Sequence, residues 1–344
     1  MTNLERDPAL VATDAATERP VGGAEVGGAP STPRGAIEVL SPREVPLGGP
    51  RAMTVRRTLP QRRRSLIGAW CFVDHYGPDD VSTSGGMHVP GHPHTGLQTV
   101  TWLFEGEIEH RDTLGTLLTI RPGEVNLMTS GEGIAHSEYS TPTTTRVHGA
   151  QLWIALPEPR RQGSRAFEHF APEPFAVDDA VVKVFLGRLA GASSPVRTWT
   201  RVVGAEIRLP AHGRVALDVD PAFEHGVLVD TGTITLEGEP GDGSELLFSA
   251  VGASRLTLVA GADGARVLLI GGEPLGESIV MWWNFIARDH DEIVAQRTAW
   301  QDRVSALRDG GTPGDAERFG EFPDAWNDVL PAPELPNVRL SPRR

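Results

Sequence analysis

The stretch GGMHVPGHPHTGLQTVTWLFEGEIEHRD, residues 85–112, decides both the predicted fold and the predicted site. Its middle part alternates, with Val100, Trp102 and Phe104 on one face of an extended chain and Thr99, Thr101 and Leu103 on the other. The glycine of EGE then provides a turn signal. The stretch therefore predicts a half-buried β-strand, a turn and a second strand.

The same pattern extends through most of the chain. Short apolar runs separated by turn signals occupy residues 37 to about 170, and a second block of them occupies about 177 to 287. The 39 glycines and 28 prolines are typical of a chain with many turns. Two such blocks, joined by the linker HFAPEPFAVDD at 169–179, indicate an all-β protein with two similar barrels or sandwiches.

The two ends of the chain differ from this pattern. Residues 1–36 are rich in Ala, Gly, Pro and Thr without a period, and we expect a disordered arm there. Residues 289–308 predict one helix, with Asp289 and Glu292 at capping-box spacing, and we expect its apolar stripe to pack on the second barrel. The stripe consists of Ile293, Trp300, Val304 and Leu307. The Gly- and Pro-rich tail after it is predicted to be extended.

Charge and cysteine content exclude several classes of protein. A net charge of −13 repels nucleic acid, so direct nucleic-acid binding is not expected. The single cysteine, Cys71, allows no internal disulfide and favours a reducing cytoplasm. No secretory signal pattern and no membrane-length apolar run is found, so we expect a cytoplasmic protein. The arginines within residues 56–64 are interpreted as a solvated strand edge, with an anion- or partner-binding patch as the alternative.

His92 and His94 raise the question of a metal site. Residues i and i+2 of a strand point to the same face, so these two imidazoles project together while Pro93 points away. Imidazole pairs bind Fe, Mn, Cu, Ni or Zn. Such a pair is also common without a metal, so both interpretations stay open on these two residues alone.

A second i, i+2 pair favours the metal. His136 and Glu138, in the sequence GEGIAHSE, also share one face of a strand. If the two strands are neighbours in one barrel, three imidazoles and one carboxylate converge. This donor set leaves coordination positions open for water or substrate, which fits a redox metal better than a closed structural zinc site.

Three segments of the chain resemble the pirins, a branch of the cupin superfamily. The segments are GHPHTGLQTVTWLFEGEIEHRDTLG at 91–115, RPGEVNLMTSGEGIAHSE at 121–138 and GGEPLGESIVMWWNF at 271–285. The resemblance implies two tandem cupin barrels with a metal, usually iron, in the N-terminal one. It also implies the metal ligands, which are His92, His94, His136 and Glu138.

The resemblance extends from about residue 37 to 308 and suggests domain bounds. We expect the metal-bearing cupin barrel at 37–176, a second cupin barrel without metal at 177–287, the helix at 288–308 and the tail at 309–344. The second barrel has no matching ligand quartet, because its histidines are isolated. We interpret His212 and His225 as ordinary core or surface residues.

One position departs from the family pattern, because Gln98 stands where many pirins carry glutamate. Glu138 takes the carboxylate role, so we expect metal binding to be retained and the charge near the metal, hence its redox potential, to change. His110 and Asp112 lie one strand from the predicted site and are interpreted as pocket residues or surface residues. Residues interpreted mainly as structural, with a role at the site as the alternative, are Trp102, Met128, His148, Trp282 and Trp283.

Two functions follow from these expectations. Some pirins are similar in activity to quercetin 2,3-dioxygenase, which implies a metal-dependent ring-opening oxygenase acting on a flavonol-like substrate. Iron(II) is the expected metal, with Mn, Ni, Cu or Zn as alternatives, and Glu138 serves as ligand or as catalytic base. The alternative is a metal- or redox-responsive regulator that acts through a protein partner in transcription or central metabolism. We expect a monomer in either case.

Overall fold

The computed structural model describes residues 36–46, 53–84, 86–309, 316–323 and 328–343. The expected disordered arm, residues 1–36, lies outside these ranges apart from its last residue, and part of the tail also lies outside them. In the described part, no helix combines the length and the apolar composition needed to cross a membrane.

Strands dominate the described chain, as predicted. In chain order the first are β1 Ile37–Leu40, β2 Arg43–Pro46, β3 Thr54–Leu59, β4 Trp70–Asp80, β5 His88–His94, β6 Leu97–Glu105, β7 Ile108–Asp112, β8 Leu117–Ile120, β9 Val125–Thr129, β10 Ile134–Ser140, β11 Arg146–Ala155 and β12 Ala166–Phe170. The others are β13 Phe175–Val177, β14 Ala180–Leu186, β15 Arg188–Leu189, β16 Ala192–Ser193, β17 Val202–Leu209, β18 Arg214–Asp218, β19 Glu224–Leu236, β20 Glu239–Asp242, β21 Leu246–Ser249, β22 Arg255–Gly272, β23 Val280–Trp282 and β24 Phe285–Ala287. The helices are α1 His290–Arg308 and α2 Ala316–Phe319.

The first barrel is made of two antiparallel sheets that face each other. The larger sheet has the order β12-β9-β6-β11-β4-β3-β2, and the smaller sheet has the order β5-β10-β7-β8. The central strands β6, β9 and β11 of the larger sheet, and most of β5 and β10 of the smaller one, are buried on both faces, because one face lines the barrel interior and the other is covered by other parts of the chain. The first of the two expected barrels is therefore confirmed.

The second barrel is one continuous sheet with the order β1-β21-β19-β22-β17-β14-β13, to which β18 and β20 add by pairing with β22 and β19. The two halves of the long strands β19 and β22 pair with different neighbours, and the register between β19 and β22 shifts near Gly232. Gly232 has a φ of 76°, and a Cβ there would lie 2.0 Å from the carbonyl oxygen of Gly264. Only glycine allows the two strands to approach so closely at this bend.

The bounds of the barrels differ from those expected at two points. Strand β1 pairs with β21, and β13 pairs with β14, so residues 37–40 and 175–177 belong to the sheet of the second barrel. Residues 37–40 and 175–176 were expected in the first barrel, at 37–176, whereas residue 177 was expected in the second. A strand-length apolar pattern predicts a strand, but it carries no information on which sheet that strand joins.

The two barrels share a core. Trp102 of the first barrel stacks on Phe185 of the second with ring centroids 4.6 Å apart, and its Nε1 donates to Glu206 Oε2 over 2.8 Å. Trp70 Nε1 donates to the carbonyl oxygen of Gly271 over 3.0 Å. Both tryptophans are fully buried, so Trp102 is a core residue, which was the main interpretation of its sequence context.

Helix α1 begins as predicted and packs in a different place. Asp289 caps it by accepting a hydrogen bond of 2.9 Å from the backbone nitrogen of Glu292. Its buried apolar side chains contact the β23–β24 hairpin and Ala135 of the first barrel. The hairpin lies within residues 177–287, where the second barrel was expected, but it forms a separate two-stranded sheet. Those side chains are Ile293, Trp300 and Val304, and Leu307 is half-buried. The helix, the hairpin and Ala135 belong to one apolar cluster, which lies behind the small sheet that carries the predicted ligands.

Candidate metal centre

The register of the small sheet brings the two predicted ligand pairs together. Strand β10 lies between β5 and β7, with His136 directly opposite His92 on one side. On the other side, Glu138 is directly opposite His110. The two ligand strands are therefore neighbours in the sheet, as predicted. The i, i+2 alternation directs these side chains into the barrel.

The three predicted histidine ligands form one buried cluster. The Nε2 atoms of His94 and His136 lie 3.1 Å apart, and the ring centroids of His92 and His136 lie 4.4 Å apart. One candidate ligand atom from each of the three lies within 4.8 Å of the others, and no ring is more than 1% exposed. Two nitrogens bound to one ion at about 2.1 Å each are roughly 3 Å apart when they subtend a right angle, so the cluster has the size of a metal site.

The hydrogen bonds of His92 leave a lone pair unused. Its Nδ1 donates to the carbonyl oxygen of Pro90 over 2.8 Å, so in the neutral ring Nε2 is the unprotonated nitrogen. That buried Nε2 has no hydrogen-bond partner among the described residues. A buried acceptor without a donor costs about 1–3 kcal/mol, and a metal ion at this position removes that cost. The residues present therefore fit a metal ion.

The same burial keeps the rings in the form that binds metals. Burial lowers the pKa of His92, His94 and His136 well below the ordinary value, and repulsion between the neighbouring rings lowers it further for His94 and His136. The backbone of Asn284 raises the pKa of His94, but this effect is smaller than that of burial. His94 Nδ1 has no hydrogen bond of regular length among the described residues. At neutral pH the three rings are therefore uncharged and offer lone pairs.

Glu138 lies at the edge of this cluster. Its carboxylate groups with His110 and His136, with one ligand atom from each lying within 4.8 Å of the others, and it is 1% exposed. Among the described residues, no group whose ligand atoms all lie within 4.8 Å of one another contains Glu138 together with His92 or His94. Thr101 Oγ1 lies 3.5 Å from Oε1 of Glu138 and donates over a shorter distance, 2.9 Å, to Oε1 of Gln151. The four predicted ligands are thus adjacent, with His136 shared between the three-histidine cluster and the carboxylate.

Gln98 does not lie beside the metal centre, contrary to our expectation. Its Nε2 donates to Thr129 Oγ1 over 2.8 Å and to the carbonyl oxygen of Arg197 over 3.2 Å. It shares the strand face of Val100 and Trp102, which packs toward the second barrel, whereas Thr101 on the opposite face contacts Glu138. The alternation of β6 therefore separates Gln98 from the predicted ligands, and the prediction that it changes the redox potential loses its basis.

The outer face of the ligand strands is held by the C-terminal part of the chain. A Cβ on Gly91 would lie 2.9 Å from Val329 and 3.0 Å from Phe322. The backbone of Gly91 also exchanges two hydrogen bonds of 2.8 Å with Asp328 and Leu330. Trp282 and Trp283 belong to the same aromatic cluster and are fully buried, so they are packing residues. The described tail is therefore a support for β5 from behind.

A second group of potential ligands was missed from the sequence. His75 and His148 of the first barrel meet Asp230 of the second, and both Nε2 atoms approach Asp230 Oδ1, at 2.7 and 2.6 Å. Arg56 donates to Nδ1 of His75, and Arg266 donates to Nδ1 of His148. We call these five residues the junction cluster. They come from distant strands, and no spacing in the sequence marks them.

The junction cluster does not fit a metal ion. Because a guanidinium only donates, each Nδ1 accepts, and each neutral ring carries its proton on Nε2 and donates it to Asp230. No lone pair then faces the centre of the cluster, and two arginines add positive charge beside it. His148 is therefore a structural residue, as expected. The cluster joins the two barrels through a buried, fully hydrogen-bonded carboxylate.

The isolated histidines of the second barrel are also placed. His212 is exposed at a φ of 56°. His225 is buried, with neither ring nitrogen hydrogen-bonded among the described residues, and burial lowers its pKa to about 4. Neither belongs to a group of potential ligands within the described ranges.

Comparisons with known proteins agree with this architecture. The sequence model of the family Pirin matches residues 52–154, and that of the Pirin C-terminal cupin domain matches residues 204–305. A Pseudomonas aeruginosa protein named "Putative quercetin 2,3-dioxygenase" is 41% identical over 301 residues, which span 87% of this chain and 91% of that protein. The crystal structure of a quercetin 2,3-dioxygenase from Acinetobacter baumannii is 36% identical, has a TM-score of 0.80, and covers 89% of this chain and 97% of that one. The bacterial pirin YhhW from Escherichia coli, solved in complex with nickel(II), shares the fold at 19% identity and a TM-score of 0.54, over 70% of this chain and 100% of that one.

Proposed function

The chain belongs to the pirin family, with two tandem cupin domains, and we propose that it binds one metal ion through His92, His94 and His136. The observation that carries the proposal is the buried, unpartnered Nε2 of His92 beside the two Nε2 atoms that lie 3.1 Å apart. We propose iron(II) as the metal, and the same donor set accepts Mn, Ni, Cu or Zn. Glu138 is the fourth ligand or the base beside it.

We further propose a ring-opening oxygenase reaction on a flavonol-like substrate. The reaction consumes dioxygen and releases carbon monoxide as the flavonol ring opens. The names of the Pseudomonas and Acinetobacter proteins support this substrate class. When bound, the metal supplies a Lewis acid for the deprotonated 3-hydroxyl group and a redox centre for dioxygen chemistry.

The side chains of this protein then have separate tasks. The three histidines hold the metal, and Glu138 accepts the proton of the substrate hydroxyl at a carboxylate oxygen. Glu138 lies in the barrel interior near Tyr76. Burial raises the pKa of Tyr76, and the nearby Glu138 raises it further. Since each of the four site residues is no more than 1% exposed, bulk water is excluded from the place where charge develops. The same enclosure means that a substrate enters only when the barrel interior opens.

Oxygen uptake and carbon monoxide release with quercetin test this function. The iron-loaded wild type is expected to turn over, and His92→Ala is expected to lose turnover together with the metal. His212→Asn is the matched control, because His212 is exposed and asparagine tolerates its positive φ. Absence of turnover by the wild type with every divalent metal tried and several flavonols would contradict the oxygenase.

The second candidate is a metal-dependent regulator that acts through a protein partner. The near-complete burial of the site favours it, since a metal that fixes a conformation needs no route for a substrate. The arginines at 56–64 give it little support, because they do not form one surface patch. Arg57 is fully buried and bonds both carboxylate oxygens of Asp74, over 2.6 and 2.7 Å, while Arg64 pairs with Glu38. Metal binding without turnover would favour this candidate.

A further inference from the structure

We propose that Asp112 and His110 are positioning residues that set which nitrogen of His136 carries the proton, so that the lone pair of His136 faces the metal. The proposal rests on the metal-binding part of the proposed function and is independent of the substrate. The three side chains form a chain of contacts from a fixed carboxylate to a predicted ligand.

The carboxylate at the start of this chain is held rigidly. Asp112 is fully buried, and its Oδ1 accepts hydrogen bonds from the backbone nitrogens of Leu114, over 2.8 Å, and Thr116, over 3.0 Å. Its other oxygen, Oδ2, lies 3.2 Å from Nε2 of His110. Because two backbone amides fix Oδ1, the carboxylate cannot rotate away, and Oδ2 remains directed at His110.

The carboxylate decides the proton position on His110. An ionised carboxylate only accepts, so the facing Nε2 of His110 carries a proton. A neutral imidazole has one proton, so Nδ1 of His110 is then an acceptor. His110 is 2% exposed, and its ring packs against Phe167 with centroids 4.7 Å apart, which limits any flip of the ring.

His110 in turn decides the proton position on His136. The two Nδ1 atoms lie 3.3 Å apart, and since that of His110 accepts, that of His136 donates. The lone pair of His136 is then on Nε2, the atom that lies 3.1 Å from Nε2 of His94. Buried carboxylates and carbonyls that bond a ligating histidine from behind commonly act in this way. His92 has the equivalent support from the carbonyl oxygen of Pro90.

A competing role for His110 is direct metal binding, because it also groups with His136 and Glu138. Both of its ring nitrogens are already engaged, one with Asp112 and one with His136. Direct binding requires it to give up one of these contacts, whereas the positioning role uses both as they stand.

The test uses Asp112→Asn in the full chain. The Oδ1 of asparagine still accepts from the two backbone amides, which leaves its NH₂ group facing Nε2 of His110. His110 then accepts at Nε2 and carries its proton on Nδ1, so that Nδ1 of His136 accepts and Nε2 of His136 becomes protonated. We expect affinity for Ni(II) and Fe(II), measured by competition with a chelator, to fall about 10- to 100-fold. Glu109→Gln is the control, because Glu109 is on the same strand but pairs with Arg111 at the surface.

Nitrogen NMR of the metal-free, ¹⁵N-histidine-labelled protein reads the proton positions directly. The wild type is expected to carry the His136 proton on Nδ1, and Asp112→Asn is expected to move it to Nε2. Unchanged metal affinity in Asp112→Asn, or an Nε2 proton on His136 in the wild type, would overturn the proposal. Complete loss of the metal in His110→Asn, beyond the loss in Asp112→Asn, would also overturn it in favour of direct binding. A wild type that binds no metal but carries the Nδ1 proton would support the proton arrangement while removing the proposed function.

Discussion

Nε2 of His94 and Nε2 of His136 lie 3.1 Å apart inside the first barrel, on strands that the small sheet places side by side. Burial holds both rings in the uncharged form. Without metal, Nε2 of His94 can donate a proton to Nε2 of His136, whereas a cation between the two nitrogens binds both lone pairs. The stability of the protein is therefore expected to depend on metal.

Metal is expected to raise the free energy of unfolding. A ligand that binds only the folded state at 100 times its dissociation constant stabilises by about 2.7 kcal/mol. We expect a stabilisation of this order for the wild type with Ni(II), measured by urea unfolding at pH 7. His136→Ala should show none, while His212→Asn should respond like the wild type. Equal stabilisation of His136→Ala would mean that the metal binds elsewhere.

Replacing Gln98 by glutamate is expected to affect stability and not the metal. Gln98 donates to Thr129 Oγ1 and to the carbonyl oxygen of Arg197. A carboxylate at that place can accept from the Thr129 hydroxyl, but it faces the Arg197 carbonyl oxygen without a proton to donate. The free energy of unfolding should fall by about 1–3 kcal/mol. Metal affinity should stay within about twofold of the wild type, as expected for a side chain outside the groups that support the ligands. A tenfold change in metal affinity, with an unchanged free energy of unfolding, would indicate that residue 98 acts on the metal after all.

Removing the support behind the ligand strands is expected to weaken both stability and metal binding. Phe319 is fully buried and packs edge-to-face on Trp300, with centroids 5.3 Å apart. Phe319→Ala should cost about 3–5 kcal/mol. Val338→Ala, in the same tail but 43% exposed, should cost less than about 0.5 kcal/mol. Metal affinity should fall in Phe319→Ala and not in Val338→Ala. If Phe319→Ala lost stability with unchanged metal affinity, the packing behind the ligand strands would not be needed for metal binding.

The junction cluster predicts acid sensitivity. Burial alone raises the pKa of Asp230, but the hydrogen bonds from His148 and His75 lower it overall. Burial lowers the pKa of His75. Both groups bind more protons when unfolded, so stability is expected to fall as the pH drops below about 6.5, through His75, and again below about 4, through Asp230.

Asp230→Asn tests this pH dependence. The variant should lose about 3 kcal/mol at pH 7, because two histidines and Arg266 lose a charged partner. The difference from the wild type should shrink as the pH falls from about 4 toward 2, because the carboxylate of the unfolded wild type becomes protonated there while the lowered pKa keeps the native carboxylate ionised. Urea unfolding curves measured across this range check it, and a constant difference at every pH would contradict the assigned role.

Most of the site could be predicted from the sequence because its geometry is local. His92 and His94, like His136 and Glu138, share a strand face by the period of two, and only the pairing of the two strands had to be assumed. The position of Gln98 was also available from that period, since it alternates in phase with Val100 and Trp102. At this residue the family pattern and the strand phase disagree, and the structure follows the strand phase, so the expected effect of Gln98 on the metal was wrong.

Other features depend on contacts that no local pattern encodes. The junction cluster joins His75 to Asp230 across two barrels, and its residues look like isolated polar positions in the sequence. Strand β1 pairs with a strand more than 200 residues away, as in the partners Leu40 and Leu246. Which sheet a strand joins, and where a helix such as α1 packs, is decided by tertiary burial rather than by propensity.

The metal content and affinity of ligand variants test the central claim most directly. Wild-type protein titrated with Fe(II) or Ni(II) by equilibrium dialysis is expected to bind one ion per chain. His92→Ala and His136→Ala are each expected to lose more than about 100-fold in affinity, beyond the loss typical of a residue that only supports a ligand. His212→Asn should bind like the wild type. Wild-type occupancy in both His92→Ala and His136→Ala would contradict the assignment of the buried histidine cluster as the metal centre.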